Sequence, residues 1–359
     1  MQHGWNPIRG FVLAMVLAAL GMGCSAPRQK PYTRFPQELV PAPGAEVAAS
    51  PAPVPTVPDP PAPVAPAASP LPPAPPAPAA PRNAPPDPDE PWTPVAAWCL
   101  ARGLPAPEIL AGSRAVKIGG ITHHLGFEPV VDQRGAVCIH PLDRIKTFEP
   151  LLQAPTWPEP RTVILDPGHG GSQAGTRCLT GNRFEKEFTL DWALRLKPLL
   201  EARGWTVHLT RTNDLDLSLT DRVLAADTHQ AGLFISLHFN SAFPNTQARG
   251  LETYCLTPCG MASTTTRVYA DDVSATHPNN QHDAANLLLA RRIHRHLLAA
   301  TGTVDRGIRR ARFMEVLRGQ NRPAVLIEGG FLSNPEESRA INTPTYRQRL
   351  AEGVARALE

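Results

Sequence analysis

The sequence carries no strong charge of either sign. Its 35 Lys and Arg stand against 32 Asp and Glu, a formal net charge of +3 over 359 residues. That balance leaves no basic footprint, and no nucleic-acid partner is expected. A membrane-crossing helix of the mature chain is also lacking, because the apolar run from Phe11 to Leu20 is too short to span a bilayer. Cysteine is sparse, six in all. Cys255 and Cys259 have no second pair at the spacing that a Cys/His zinc site needs. From Met261 to Asn286 a helical apolar stripe is missing; Thr, Ser, Asp and Asn dominate, and the stretch reads as a loop.

What is present starts with an export signal over residues 1–24. Arg9 precedes the short apolar core, and Gly21-Met22-Gly23-Cys24 follows it, the order of a basic flank, an apolar centre and small residues. The cysteine resembles a bacterial lipoprotein processing site. That implies Cys24 as a lipidated first residue and a membrane anchor at the N-terminus, although Gly21 departs from the leucine-like residue usual there. Ser25 lacks the aspartate associated with inner-membrane retention. The expected place is the periplasm, anchored to the outer membrane of a Gram-negative host, with plain secretion as the alternative. Residues 25–91 follow as a Pro/Ala-rich linker, densest from Pro41 to Pro91. Such a composition cannot bury a core and favours extended polyproline II, as a semi-rigid spacer reaching on the order of 150 Å.

Residues 92–155 read as a small αβ module. Ala115 to Gly126 and Val130 to His140 look like short strands with turns at Gly119-Gly120 and Arg134-Gly135. The pattern resembles the small domain at the N-terminus of copper amine oxidases, which implies wall contact or support and nothing about copper. In an exported chain a Cys99–Cys138 disulfide would staple this module. Cys255 and Cys259 could pair with each other, or either with Cys178.

Beyond residue 160 three apolar strands each end in chemistry. Thr162 to Leu165 runs into Asp166-Pro-Gly-His169-Gly-Gly, Leu233 to Leu237 into His238, and Ala324 to Ile327 into Glu328-Gly-Gly. Open α/β sheets bind ligands at the carboxyl ends of their strands. A helix opening near Glu185, with Phe184, Phe188, Trp192, Leu196 and Leu199 along one stripe, puts that carboxylate in its first turn, at the positive end of the dipole. Two histidines and one glutamate of zinc-ligand type, plus a second glutamate free to move protons, make up a catalytic zinc site with an open position.

These segments resemble the zinc-dependent N-acetylmuramoyl-L-alanine amidases of the amidase-3 type, which cut bacterial peptidoglycan. The resemblance spans about residues 161–359, with four motifs in family order. It implies Zn²⁺ held by His169, Glu185 and His238, and Glu328 as the catalytic acid/base. It also implies an amidase that hydrolyses the bond between N-acetylmuramic acid and L-alanine. Asn240 and Arg306 are possible contacts to substrate or to the ligand-supporting layer. Arg222, after the Ser218–Asp221 capping pattern, is expected to make a structural ion pair. The expected fold is α/β, a central mostly parallel or mixed sheet flanked by helices. Chain-closing helices start at Asn334-Pro335 and Thr343-Pro344. The alternatives are a non-catalytic peptidoglycan-binding lipoprotein and a zinc peptidase cutting within the stem peptide. With no autoinhibitory helix expected in the 261–286 stretch, control falls to localisation or to an unidentified protein partner.

Overall fold

The computed structural model describes residues 91–109, 112–265 and 271–359. The export signal, Cys24 and the Pro/Ala-rich segment up to residue 90 lie outside the described residues. The chain first forms β1 (Thr93–Pro94), α1 (Val95–Leu100), β2 (Glu108–Ile109), β3 (Ala115–Ile118), β4 (Ile121–His124), β5 (Val130–Val131), β6 (Val137–Ile139) and a single turn, α2 (Pro141–Asp143). It continues with β7 (Thr162–Pro167), α3 (Glu185–Glu201), β8 (Thr206–Leu209), α4 (Leu219–Thr228), β9 (Leu233–Asn240) and β10 (Leu251–Cys255). The last elements are α5 (Asp283–Thr301), β11 (Asp305–Arg310), α6 (Glu315–Arg318), β12 (Ala324–Phe331), α7 (Pro335–Asn342) and α8 (Pro344–Ala357).

Nine strands form one mixed sheet in the order β2-β3-β4-β11-β10-β12-β9-β7-β8. Strands β8, β7, β9 and β12 are mutually parallel, and β10 runs antiparallel to β12. The apolar strands are near-continuous because both faces are covered. Alternate residues go to opposite sides, as the pleat requires. Val163, Leu165, Ile235, Leu237, Val325 and Ile327 join the core under α3, α5 and α8. Ile164, Phe234, Ala324 and Leu326 meet Ala226 of α4 and Val316 and Leu317 of α6 on the other face. This is the α/β architecture that the sequence implies.

Helix α3 buries Phe188, Trp192, Leu196 and Leu200 completely. Leu200, four residues after Leu196, takes the place expected for Leu199, which packs at the margin. The caps follow the sequence. Ser218 accepts from Asp221 N–H, Asn334 from Glu336 and Glu337 N–H, and Thr343 from Tyr346 N–H.

Three expectations change. No disulfide joins Cys99 to Cys138, and all five described cysteines are free thiols. Cys99 packs instead into the same apolar cluster as α3, α5 and α8, so continuous burial holds the module without a staple. The hairpin β3–β4 turns at Gly119-Gly120, both with positive φ. It does not stand apart, because β4 pairs with β11 and carries the main sheet onward. Finally, α5 begins at Asp283, inside the stretch read as a loop, after a 3₁₀ turn over Pro278–His282. Its polar start is buried and bonded. Asn286 donates to Asn279 Oδ1 (2.9 Å) and accepts from Ala324 N–H (2.8 Å), so polarity there marks support for β12 and not solvent.

Candidate metal centre

Three elements bring His169, Glu185 and His238 together. Strand β7 ends at Pro167, and Gly168 follows, where an added Cβ would overlap the His238 ring. His169 itself adopts φ +61°, the left-handed region that costs a side-chain-bearing residue of order 1 kcal/mol or more. Two buried guanidiniums hold this turn. Arg222 donates to Asp166 Oδ1 (2.6 Å), to Pro167 O (3.0 Å) and to His169 O (2.8 Å). Arg211 donates to Pro167 O and Gly168 O (2.9 Å each) and to Lys186 O in the first turn of α3 (2.8 Å). Asp166 is fully buried; burial alone would raise its pKa, but Arg222, with Thr210 and Ser236 as donors, holds it below the ordinary value.

Glu185 is the first residue of α3 and is buried. Its Oε2 lies 3.2 Å from His169 Nε2 and accepts from Thr176 N–H (3.0 Å). Its Oε1 lies 3.0 Å from His238 Nδ1 and accepts from Phe239 N–H (3.0 Å). Burial alone would push this carboxyl up; the two imidazoles draw it well below the usual carboxylate range. One ligand atom from each of the three residues lies within 4.8 Å of the others. Among the described residues they form the one His/Cys/Asp/Glu group so placed. Gly175 leaves room for them, since a Cβ there would come within 2.7 Å of Glu185 and 2.8 Å of His169.

Glu328 of β12 pairs directly with His238 of β9 in the parallel ladder. Both line a cavity of about 470 Å³ together with His169, Glu185 and Asn240, walled by Leu219, Phe313 and Met314. Asn240 does not project freely: its Nδ2 donates to Glu252 Oε2 (2.8 Å) and its Oδ1 accepts from Ser241 N–H. Arg306 Nε donates to Glu252 Oε1 (2.8 Å), and its guanidinium lies over the Phe331 ring. The other described histidines stay apart. His123 is buried with Nδ1 at Ile121 O, and burial pushes its pKa down to about 3. His294 sits between Thr253 and Asp305, and His208 stacks on His229.

Arg211 and Glu252 escape a reading of the sequence. Glu252 left one trace, a lone carboxylate inside the strand Leu251-Glu-Thr-Tyr-Cys255, which burial makes costly unless it is bonded. Arg211 follows β8 with no local pattern to mark it.

The chain matches the family described as N-acetylmuramoyl-L-alanine amidase, Amidase_3, over residues 163–359. The amidase AmiA of Escherichia coli (strain K12) is 31% identical over 216 residues, covering 54% of this chain and 74% of that protein. The sporulation-specific N-acetylmuramoyl-L-alanine amidase of Bacillus subtilis (strain 168) is 34% identical over 200 residues, 55% of this chain and 66% of that protein. The solved catalytic domain of CwlV, from Bacillus (Paenibacillus) polymyxa var. colistinus, is 30% identical with a TM-score of 0.46, covering 55% of this chain and 96% of that one. On the family match and the AmiA relation together, the chain belongs to the amidase-3 family of N-acetylmuramoyl-L-alanine amidases.

Proposed function

We propose that this chain is a zinc-dependent amidase of peptidoglycan, with His169, Glu185 and His238 as the metal ligands and Glu328 as the acid/base. The family match carries the coarser part, hydrolysis of the amide between N-acetylmuramic acid and L-alanine. The observation behind the finer part is the convergence of two imidazoles and one carboxylate within 4.8 Å at a sheet edge, beside a second glutamate. That donor set fits zinc in a catalytic role, three protein ligands with a position left over. Zinc bound there supplies Lewis acidity, polarising a carbonyl and lowering the pKa of water from 15.7 to roughly 7.

The chain's own residues do the rest. Arg222 and Arg211 fix the turn that presents His169, and Glu185 orients both rings. Glu328, on the face shared with His238, takes a proton from the attacking water. It passes that proton to the L-alanine nitrogen as the carbon–nitrogen bond breaks, since an amine leaves only when protonated. The residues around this centre suit a hydrolase better than a docking surface, because both the ligands and the proton carrier are built in. The expected layout is an export signal over 1–24 with Cys24 lipidated, a spacer over 25–91, a supporting module over 92–155 and a catalytic domain over 161–359.

Metal analysis tests the ligand set. The purified protein should hold one zinc, and His169→Ala, Glu185→Ala and His238→Ala should each lose most of it. Full zinc in all three variants would remove the assignment.

A further inference from the structure

Arg306 is the second residue of β11, at the same sheet edge as Asn240 and the ends of β9 and β12. The buried Glu252, with a side chain 4% exposed, organises this corner. Its carboxylate accepts from Asn240, Tyr254 and Arg306 Nε (2.8 Å each) and lies 3.0 Å from Arg309 Nε as an ion pair. Two guanidiniums face Glu252 here, and Glu328 stands opposite it in the β10–β12 ladder. Arg306 is locked by that Nε bond and by the Phe331 ring, 4.9 Å from its guanidinium carbon, while 32% of its side chain stays exposed. Among the described residues, none hydrogen-bonds its two terminal nitrogens. A fixed guanidinium with its outer edge open is the group that grips a carboxylate in two-pronged fashion.

We propose that Arg306, held by Glu252 and Phe331, is a binding subsite for a carboxylate of the stem peptide, one or two residues beyond the scissile bond. The inference rests on the amidase reading and names a part of its substrate. Its register fits. Glu252 pairs with Glu328, Glu328 with His238, and Phe331 with Asn240. Strands lie about 4.8 Å apart, so the Arg306 backbone is two strands, about 10 Å, from that of Glu328, and its side chain reaches back over Phe331. Peptide residues advance by at most about 3.8 Å each. A carboxylate on the residue after L-alanine, as γ-linked D-glutamate carries, therefore comes within reach when the scissile bond lies at Glu328. Amidation of that carboxylate would remove the charge that Arg306 recognises.

The test uses the full zinc-loaded chain and two soluble muropeptides that differ only at this group, free carboxylate or primary amide. Wild type should favour the carboxylate by about tenfold or more in kcat/KM, carried mostly in KM, as a charged hydrogen-bond pair implies. Arg306→Gln should bring the ratio close to one, and Arg306→Lys should leave an intermediate ratio. Calorimetry with the dipeptide L-Ala-γ-D-Glu and its amide reads the same preference without turnover. Equal wild-type kcat/KM on both muropeptides, or a preference that survives Arg306→Gln, overturns the subsite. Hydrolysis of neither muropeptide would count against the amidase reading itself; equal binding of the two dipeptides would defeat the subsite alone.

Discussion

At the scale of the residue, Arg222 shows how closely the metal turn depends on its surroundings. It is buried, pairs with a buried Asp166 and holds the carbonyl of His169, whose backbone sits in the left-handed region. Arg222→Met would leave Asp166 buried without its countercharge, held only by the Thr210 and Ser236 hydroxyls, so stability should drop by about 3–5 kcal/mol in denaturant titration. Zinc affinity, measured by competition with a chelating dye, should fall as well, and Arg222→Lys should restore part of it. Undiminished affinity in the folded methionine variant would mean that His169 is held by other means. The sequence made Arg222 legible as an ion-pair residue through the Ser218–Asp221 cap, but its partner lies 56 positions away. A contact of that span belongs to the assembled sheet and leaves no local spacing. The four positions proposed for the chemistry stand out in the sequence for the opposite reason: each sits where an apolar run stops or a helix starts, and three of them come together in the fold.

At the scale of the element, the joint between β4 and β11 ties the 92–155 segment to the sheet, alongside the apolar core it shares with α3, α5 and α8. The β3–β4 hairpin could be read from Gly119-Gly120; its pairing with β11 could not, because edge pairing has no sequence period of its own. Two features hold the joint. Gly307 has φ +90°, and a Cβ there would come within 2.8 Å of Thr122 O, so Gly307→Ala should cost about 1–3 kcal/mol and raise hydrogen exchange in β4. Unaltered exchange would place the attachment elsewhere. Asp305 accepts from Thr122 N–H (2.9 Å) and sits 2.9 Å from His294 Nε2. Burial alone would raise its pKa, yet the His294 ring and the Thr122 amide bring it down to about 2. Because the folded value lies below the ordinary 3.8, this carboxylate stabilises the fold above about pH 4, and that contribution is lost as pH falls toward 2. Acid titration of Asp305→Asn should lack this part of the wild-type loss; identical curves would exclude Asp305 as its source.

At the scale of the whole molecule, the described part of this wall hydrolase has a nine-stranded main sheet, with the chemistry gathered at one edge, and a separate three-stranded sheet β1-β6-β5. The proposed export and tethering would rest on residues 1–24, which lie outside the described residues. Incorporation of labelled fatty acid that disappears in Cys24→Ala is the expected result, and label retained in that variant would leave plain secretion. Family and reaction class were legible in the sequence because four short motifs occur in order. The Arg211 and Glu252 frameworks were not, since their meaning lies in contacts between distant strands. The central claim is that Glu328 moves the proton while His169, Glu185 and His238 hold the metal. The most direct measurement is digestion of purified sacculi by wild type and Glu328→Gln, with released fragments identified by mass spectrometry and zinc measured in the same samples. Wild type should release stem peptides with new L-alanine amino termini. Glu328→Gln should keep full zinc, with turnover lower by roughly 10²–10⁴-fold. Undiminished turnover in Glu328→Gln, or cuts only between amino acids, would contradict the claim.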